Sequence, residues 1–315
     1  MQILVTGGAG YIGSACVKKL REAEHNVVVV DNLSKGRKEL LDSDIRFYQL
    51  DLAKDNLDRV FEENKIDKII HFAAYKDAGE SMVDLVKYSD NITGTIRLMN
   101  VACKYNIKQV IYSSSALCYG EIQYTPIDEV HPTIPVNFYG FTKLKCEEII
   151  NWYANKHNFN FVALRYFNPI GDAGLNYIDP DARNLCPILM EVAAGKREKV
   201  LVFGNDYETK DGTCVRDYVD LNDLIDAHLQ ALELSKSDRI NLGTSVGVSV
   251  LDMIRYTEEV LGKKIKYEIT ERRPGDPPVL VAAFAKAEKL LGWKPVTPIK
   301  DSILSTWKVY NSKLQ

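Results

Sequence analysis

Tyr139 and Lys143 stand four residues apart where a helical apolar pattern, Gly140 to His157, begins. That spacing puts a phenol and an ammonium on one helical face. A free tyrosine has a pKa of ~10, and bringing it to ~7 takes roughly 4 kcal/mol of preferential stabilisation of the phenolate. One positive charge at ~4 Å supplies about that at an effective dielectric of ~20. Lys143 could be that charge, and the phenolate it sustains would be a general base for an alcohol proton.

The elements that must position this pair begin at the other end of the same half of the chain. Met1 to Thr6 reads as an apolar strand that breaks into Gly7-Gly8-Ala9-Gly10-Tyr11-Ile12-Gly13, and Ser14 to Leu20 carries helical spacing. Glycines at Gly7, Gly10 and Gly13 allow a tight turn, close approach to a pyrophosphate and packing of helix on strand, with the helix N-terminus facing the anion. The second strand, Asn26 to Val30, leads into Asp31, placed to accept hydrogen bonds from an adenosine ribose. A carboxylate there repels a 2′-phosphate, which predicts NAD rather than NADP; Lys35, Arg37 and Lys38 just beyond read as a solvated run. An oxidised nicotinamide would add a second positive charge near Tyr139.

Further strands are expected at Arg46 to Leu50, Lys68 to Phe72, Gln109 to Ser113 and Phe159 to Tyr166, with helices at Leu57 to Asn64, Leu85 to Tyr105 and Leu185 to Ala194. Strands alternating with helices predict an α/β fold with a doubly wound parallel sheet, whose ligands gather at the carboxyl ends of the strands. Asp31, Asp51, Phe72 with Lys76, Ser113 to Ser115 and Tyr166 to Asn168 fall at such ends. At 315 residues, 46% hydrophobic and 26% charged, the chain can bury one large or two modest cores. A net charge of -3 argues against nucleic acid or an anionic membrane as partner. No paired CxxC spacing or HExxH occurs among the six cysteines and five histidines, so no metal is expected. Reduced thiols, no apolar run that spans a bilayer, and a first strand starting at residue 2 lead us to expect a cytoplasmic protein.

The motifs resemble those of extended short-chain dehydrogenases/reductases and, within them, of UDP-glucose (UDP-galactose) 4-epimerases, over almost the entire length. The broader marks are Thr6 to Gly13 and the Tyr139/Lys143 pair. The epimerase-like marks are Phe72 to Ser81, Ser113 to Ala116, Arg165 to Pro169, Phe203 to Tyr207 and Asp211 to Tyr218. The resemblance implies a Rossmann-like NAD domain over residues 1–167, with a return segment near 215–245, and a smaller mixed α/β domain for the nucleotide sugar over 168–315. It implies a catalytic set of Ser115, Tyr139 and Lys143. Tyr139 would take the sugar 4-hydroxyl proton as hydride leaves C4 for NAD, and the 4-keto sugar would turn over and be reduced on its other face. Ser115 would relay the proton, and Lys143 would also hold the nicotinamide ribose. Around NAD the resemblance places Tyr11, Ile12, Asp31, Asn32, Leu33, Ser34, Lys35 and Gly36, then Asp51, Leu52, Phe72, Ala73, Ala74, Lys76, Asn91 and Phe167. For the UDP-sugar it implies Arg216 and Arg273 on the diphosphate, with Lys76, Asn168, Asn184, Leu185, Leu201, Phe203 and Asp276 around it.

Four departures stand out from that pattern: Phe138 in place of a proline, Leu117 of a threonine, Cys214 of a glycine and Ala283 of an aspartate. None removes a catalytic group; turnover rate is the property they touch, and Phe138 removes a residue preorganised to start a helix. Leu280 occupies the position whose bulk limits the sugar pocket, so simple hexoses are expected in preference to N-acetylhexosamines. A nucleotide-sugar 4,6-dehydratase would need an acidic pair where Ala116, Leu117 and Cys118 stand, and a non-catalytic NAD-binding sensor would not need Ser115, Tyr139 and Lys143 intact. The resemblance also implies a homodimer, for which Leu85 to Tyr105 and the helix from Gly140 could serve.

Overall fold

The apolar runs pair into a parallel sheet of β1 (Gln2–Thr6), β2 (Asn26–Asp31), β3 (Arg46–Gln49), β4 (Lys68–His71), β5 (Gln109–Ser115), β6 (Asn160–Tyr166) and a late strand, Asp238–Leu242. The computed structural model describes residues 1–273 and 275–312. Helices α1 (Tyr11–Glu22), α2 (Asp58–Glu62), α3 (Ala78–Ser81), α4 (Leu85–Ala102) and α5 (Phe138–His157) connect these strands. The remainder holds β7 (Asn168–Ile170), α6 (Leu185–Ala193), β8 (Val200–Phe203), β9 (Val215–Asp220) and α7 (Leu221–Ala231), ahead of the late strand, which is β10. Then come β11 (Gly247–Ser249), α8 (Val250–Leu261), β12 (Tyr267–Thr270), β13 (Val279–Leu280), α9 (Ala285–Leu291) and α10 (Ile299–Ser312).

The sheet order is β10-β6-β5-β4-β1-β2-β3, so the winding reverses between β1 and β4 and opens a crevice beyond their carboxyl ends. One face is covered by α1 and α7 through Ala15, Leu20, Leu224 and Ile225, the other by α4 and α5 through Leu98, Met99, Cys146 and Ile150. Both faces being dry, β5 is buried along its whole length, and its three terminal serines are polar groups that must find partners inside.

Several boundaries differ from the sequence reading. The helix expected from Gly140 starts at Phe138, because Asn137 Oδ1 accepts from the Gly140 N–H at 2.8 Å and caps it without a proline. The long segment ending at Tyr105 changes to a 3₁₀ turn after Ala102. A third apolar cluster, built from Ile170, Leu189, Met190, Tyr218, Ile254 and Trp307, forms the second core under β8 and β9. A fourth joins Ala116, Tyr119, Phe167 and Leu280, tying β13 to the ends of β5 and β6.

Candidate active site

The glycine turn is shaped for a dinucleotide. A Cβ on Gly13 would lie 2.1 Å from Gly7 O, so only glycine lets α1 start this close to β1. Gly10 caps α1 without a side-chain hydrogen bond, leaving first-turn N–H groups free for an anion. Asp31, buried at the end of β2, accepts from Ala9 N at 3.0 Å and Leu33 N at 2.8 Å, and Gly36 packs against its carboxylate. Burial pushes its carboxyl up, and those two backbone bonds pull it back. Beside it a cavity of about 760 Å³ is lined by Leu33, Gly36, Arg37, Lys38, Leu175 and Asn176 among others. These features fit NAD with its adenosine end at Asp31.

Other residues expected on the cofactor divide into those at the crevice and those spent elsewhere. Asn32 Nδ2 reaches Asp51 Oδ2 at 3.2 Å, closing the ends of β2 and β3, while Asn32 Oδ1 takes the Ser34 N–H. Phe72 lies half-buried against His228, at 5.1 Å between centroids, and Ala73 and Ala74 follow it at the end of β4. Tyr11 donates to Gly171 O and stacks on Tyr177 at 5.1 Å, with Ile12 half-buried behind it. Asn91 gives both amide hydrogens to Tyr75 O and Thr142 Oγ1, each at 3.1 Å, and so braces the loop after β4 against α5. Leu52 is part of the apolar core on the α4 side, and Lys35 and Lys76 are exposed, Lys35 lying 3.5 Å from Asp181.

At the carboxyl end of β5 the catalytic candidates meet. Gly140 lets α5 rest on the following turn, since a Cβ there would sit 2.3 Å from Leu117 O. Tyr139, 8% exposed, has its N–H held by Ser81 Oγ at 3.0 Å, and Ser115 lies close enough to its hydroxyl to favour the phenolate. Ser115 Oγ also accepts from Leu117 N at 3.2 Å. Lys143, 2% exposed, donates to Ser113 O at 2.6 Å and lies 5.9 Å from the centre of the Tyr139 ring. This corrects one expectation: the ammonium faces a carbonyl, and Tyr139 stands well above its ordinary pKa because burial disfavours the phenolate more than nearby Ser115 favours it. Burial lowers Lys143 to about 8, with Cys146, Cys118 and Glu147 drawing it part of the way back. His71, between Thr6 Oγ1 at 2.6 Å and Thr95 Oγ1 at 3.0 Å, is lowered to about 3 by burial and by the Lys143 charge, so it is neutral.

The substrate-side candidates lie on β7, the start of α6, β8, β9 and the segment before β13. Arg216 is held by Val215 O and Pro277 O, each at 2.9 Å, and pairs with Asp276 at 3.3 Å. Arg273 stacks its guanidinium over Phe203 at 3.9 Å. Leu280 lies opposite Arg216 in register and packs with Ala116 and Phe167, which carries this group to the Ser115 end of the sheet. Asn168 Nδ2 donates to Asp217 O at 3.0 Å. Asn184 and Leu185 start α6, Asn184 with no side-chain capping bond, and Leu201 is 45% exposed on β8.

Sequence reasoning missed three buried anchors. Ser81 fixes the Tyr139 backbone. Asp217 accepts from Thr244 N at 2.7 Å, Ser245 N at 3.1 Å and Ala282 N at 3.1 Å, and so binds the loop after β10 to the segment after β13. Glu147 carries a charge on the inner face of α5, one turn after Lys143, a spacing that could have been read as a third polar position on that face.

A family model described as the NAD dependent epimerase/dehydratase family matches residues 3–243. A UDP-glucose 4-epimerase of Lacticaseibacillus casei is 43% identical, over 97% of this chain and 95% of its own. The solved UDP-glucose 4-epimerase from Bifidobacterium longum, in complex with NAD+ and UDP, has a TM-score of 0.93 at 37% identity, covering 99% of this chain and 98% of that one. The enzyme from Stenotrophomonas maltophila, with bound NAD and formylated UDP-arabinopyranose, reaches a TM-score of 0.94 at 35% identity with the same coverage. Matched along nearly its whole length in sequence and in fold, the chain belongs to the NAD-dependent epimerase/dehydratase family and falls there among the UDP-glucose 4-epimerases.

Proposed function

We propose that the protein interconverts UDP-glucose and UDP-galactose by inverting C4, with the chemistry centred on Tyr139. The observation that carries this reading is the burial of Tyr139, Ser115 and Lys143 together at the carboxyl end of β5, the end of the sheet the glycine turn also faces. Bound NAD would take a hydride from C4 and return it to the opposite face. Tyr139 takes the 4-hydroxyl proton and gives it back, Ser115 bonds the same oxygen and passes the proton, and Lys143 keeps a positive charge beneath the phenol. Arg216 and Arg273 hold the diphosphate, and Phe203 offers an apolar face to the nucleoside.

Residues 1–167 with 215–245 form the NAD-binding unit in this reading, and the rest of 168–315 mainly the nucleotide-sugar unit. Leu280, 6% exposed against Ala116 and Phe167, fills the space an N-acetyl group would need, which favours the plain hexoses. A homodimer would cover α5 positions Phe141 and Trp152, 38% and 76% exposed, with Leu85 and Val86 of α4 at 49% and 82%. Among the described residues no helix is long and apolar enough to cross a membrane, and six unpaired cysteines suit a reducing compartment such as the cytoplasm.

The test is incubation with UDP-galactose as purified and with added NAD, scored by product. UDP-glucose is expected; a 4-keto-6-deoxy sugar or no conversion would overturn the reading. Equal rates on UDP-N-acetylglucosamine would overturn the assignment to Leu280 alone.

A further inference from the structure

We propose that Glu147 is a positioning residue for the reaction, fixing the register of the base-bearing helix α5 against strand β5. The inference rests on the reading of Tyr139 as the base. Glu147 is 0% exposed, and its hydrogen bonds go to Ser114, Arg165 and Arg239, none of which is a candidate for contact with sugar or dinucleotide. Its carboxylate accepts from Ser114 Oγ at 2.5 Å, from Arg165 Nε and Nη2 at 2.9 and 2.8 Å, and from Arg239 Nε at 3.0 Å. Those donors lie on β5, β6 and β10, so one side chain ties α5 to three adjacent strands.

The spacing explains what this clamp does. Ser115 stands near the Tyr139 hydroxyl, the Ser113 carbonyl takes the Lys143 ammonium, and Ser114 bonds Glu147. Three consecutive residues of β5 thus face three residues of α5 placed four apart. Going back from Ser115 to Ser113 covers ~6.6 Å of strand, and going forward from Tyr139 to Lys143 covers ~6 Å of helix. The two advances match only while helix and strand keep one alignment. A slip of one helical residue, ~1.5 Å along the axis, would break both contacts together. Charge-assisted bonds to a bidentate arginine give the stiffest available pin for that alignment. The Arg165 guanidinium lies over the Tyr119 ring at 4.9 Å, and Tyr119 OH bonds Asn241 Oδ1 at 2.6 Å.

Glu147→Gln keeps the shape and removes the charge. With UDP-galactose as substrate, kcat is expected to fall ~10- to 100-fold, the loss typical of a small misplacement of reacting groups, while KM and NAD content stay within about twofold. A second readout is the alkaline limb of kcat, which should move to lower pH because Lys143 loses a carboxylate favouring its charged form. The groups facing Lys143 are Tyr112 of β5, neutral His71 of β4, Cys118 after β5, and Tyr139, Cys146 and Glu147 of α5; the substitution alters the last alone. A folded Glu147→Gln protein with wild-type kcat would overturn the proposal, as would a kcat loss with an unmoved alkaline limb. Should Glu147→Gln fail to fold, Ser114→Ala decides: a several-fold lower kcat at unchanged KM supports the proposal, and wild-type kcat refutes it. Wild-type protein that leaves UDP-galactose unconverted would strike the underlying reading instead, and the inference with it.

Discussion

Lys143→Met should make the folded protein more stable at neutral pH while removing its activity. Lys143 is buried, and burial lowers its pKa from 10.5 to about 8. Between those values the unfolded chain holds a proton that the folded chain has released, so stability rises with pH across that window. Below pH 8 both states hold the proton and the penalty is constant; at about 1.4 kcal/mol per unit it amounts to about 3 kcal/mol. Methionine keeps an unbranched stem in the same space and carries no charge. The Ser113 carbonyl loses its donor, at a cost of about 1 kcal/mol, which leaves a net gain of about 2 kcal/mol. Urea unfolding of dinucleotide-free wild type and variant, at pH 7 and again near pH 10.5, measures this. The variant should unfold at higher urea at pH 7, and the gap should close or reverse at the higher pH. A variant less stable than wild type at pH 7, or a gap independent of pH, would refute the argument that the buried ammonium is held against its own desolvation.

Tyr139→Phe should cut turnover by a factor of ~100 or more, as loss of a general base does, with NAD content largely intact; near-normal turnover would mean another group is the base. Asp31→Ala removes a charged acceptor and should reduce the preference for NAD over NADP by ~10-fold or more, read from binding titrations of both. Trp152→Glu should convert a dimer to monomer in light scattering without changing activity per chain; a wild-type monomer would retire the α4/α5 interface.

The first half of the chain was legible because its signals are local and long. β1, the glycine turn and α1 form a strand, breaker and helix whose periods change within a few residues. Tyr139 and Lys143 could be placed on one face because spacing alone decides that. The second half was harder: β7, β11 and β13 run only 2–3 residues, too short for alternation to register, and β10 joins the large sheet from far along the chain. Pairings such as Asp217 to Ala282 depend on which strands become neighbours, which no local pattern encodes. Glu147 escaped for a related reason. A glutamate in a helix reads as a solvated charge until Arg165 and Ser114, which lie far from it in sequence, are seen to face it.

The raised pKa of Tyr139 is informative about timing. In the chain alone the phenol keeps its proton, since Lys143 is committed to the Ser113 carbonyl and burial weighs against the anion. A further positive charge at ~4 Å would supply about 4 kcal/mol toward ionisation at an effective dielectric of ~20. In the proposed reaction an oxidised nicotinamide would offset much of what burial costs the Tyr139 phenolate, and hydride transfer would withdraw that help. Base strength would then follow the stage of that reaction: higher while the alcohol proton must leave, lower while the proton waits to be returned. A surface tyrosine, already solvated and screened, would respond far less to the same charge. Burial of Tyr139 and Lys143, unfavourable to each taken singly, is what makes the pair sensitive to a charge arriving in the crevice.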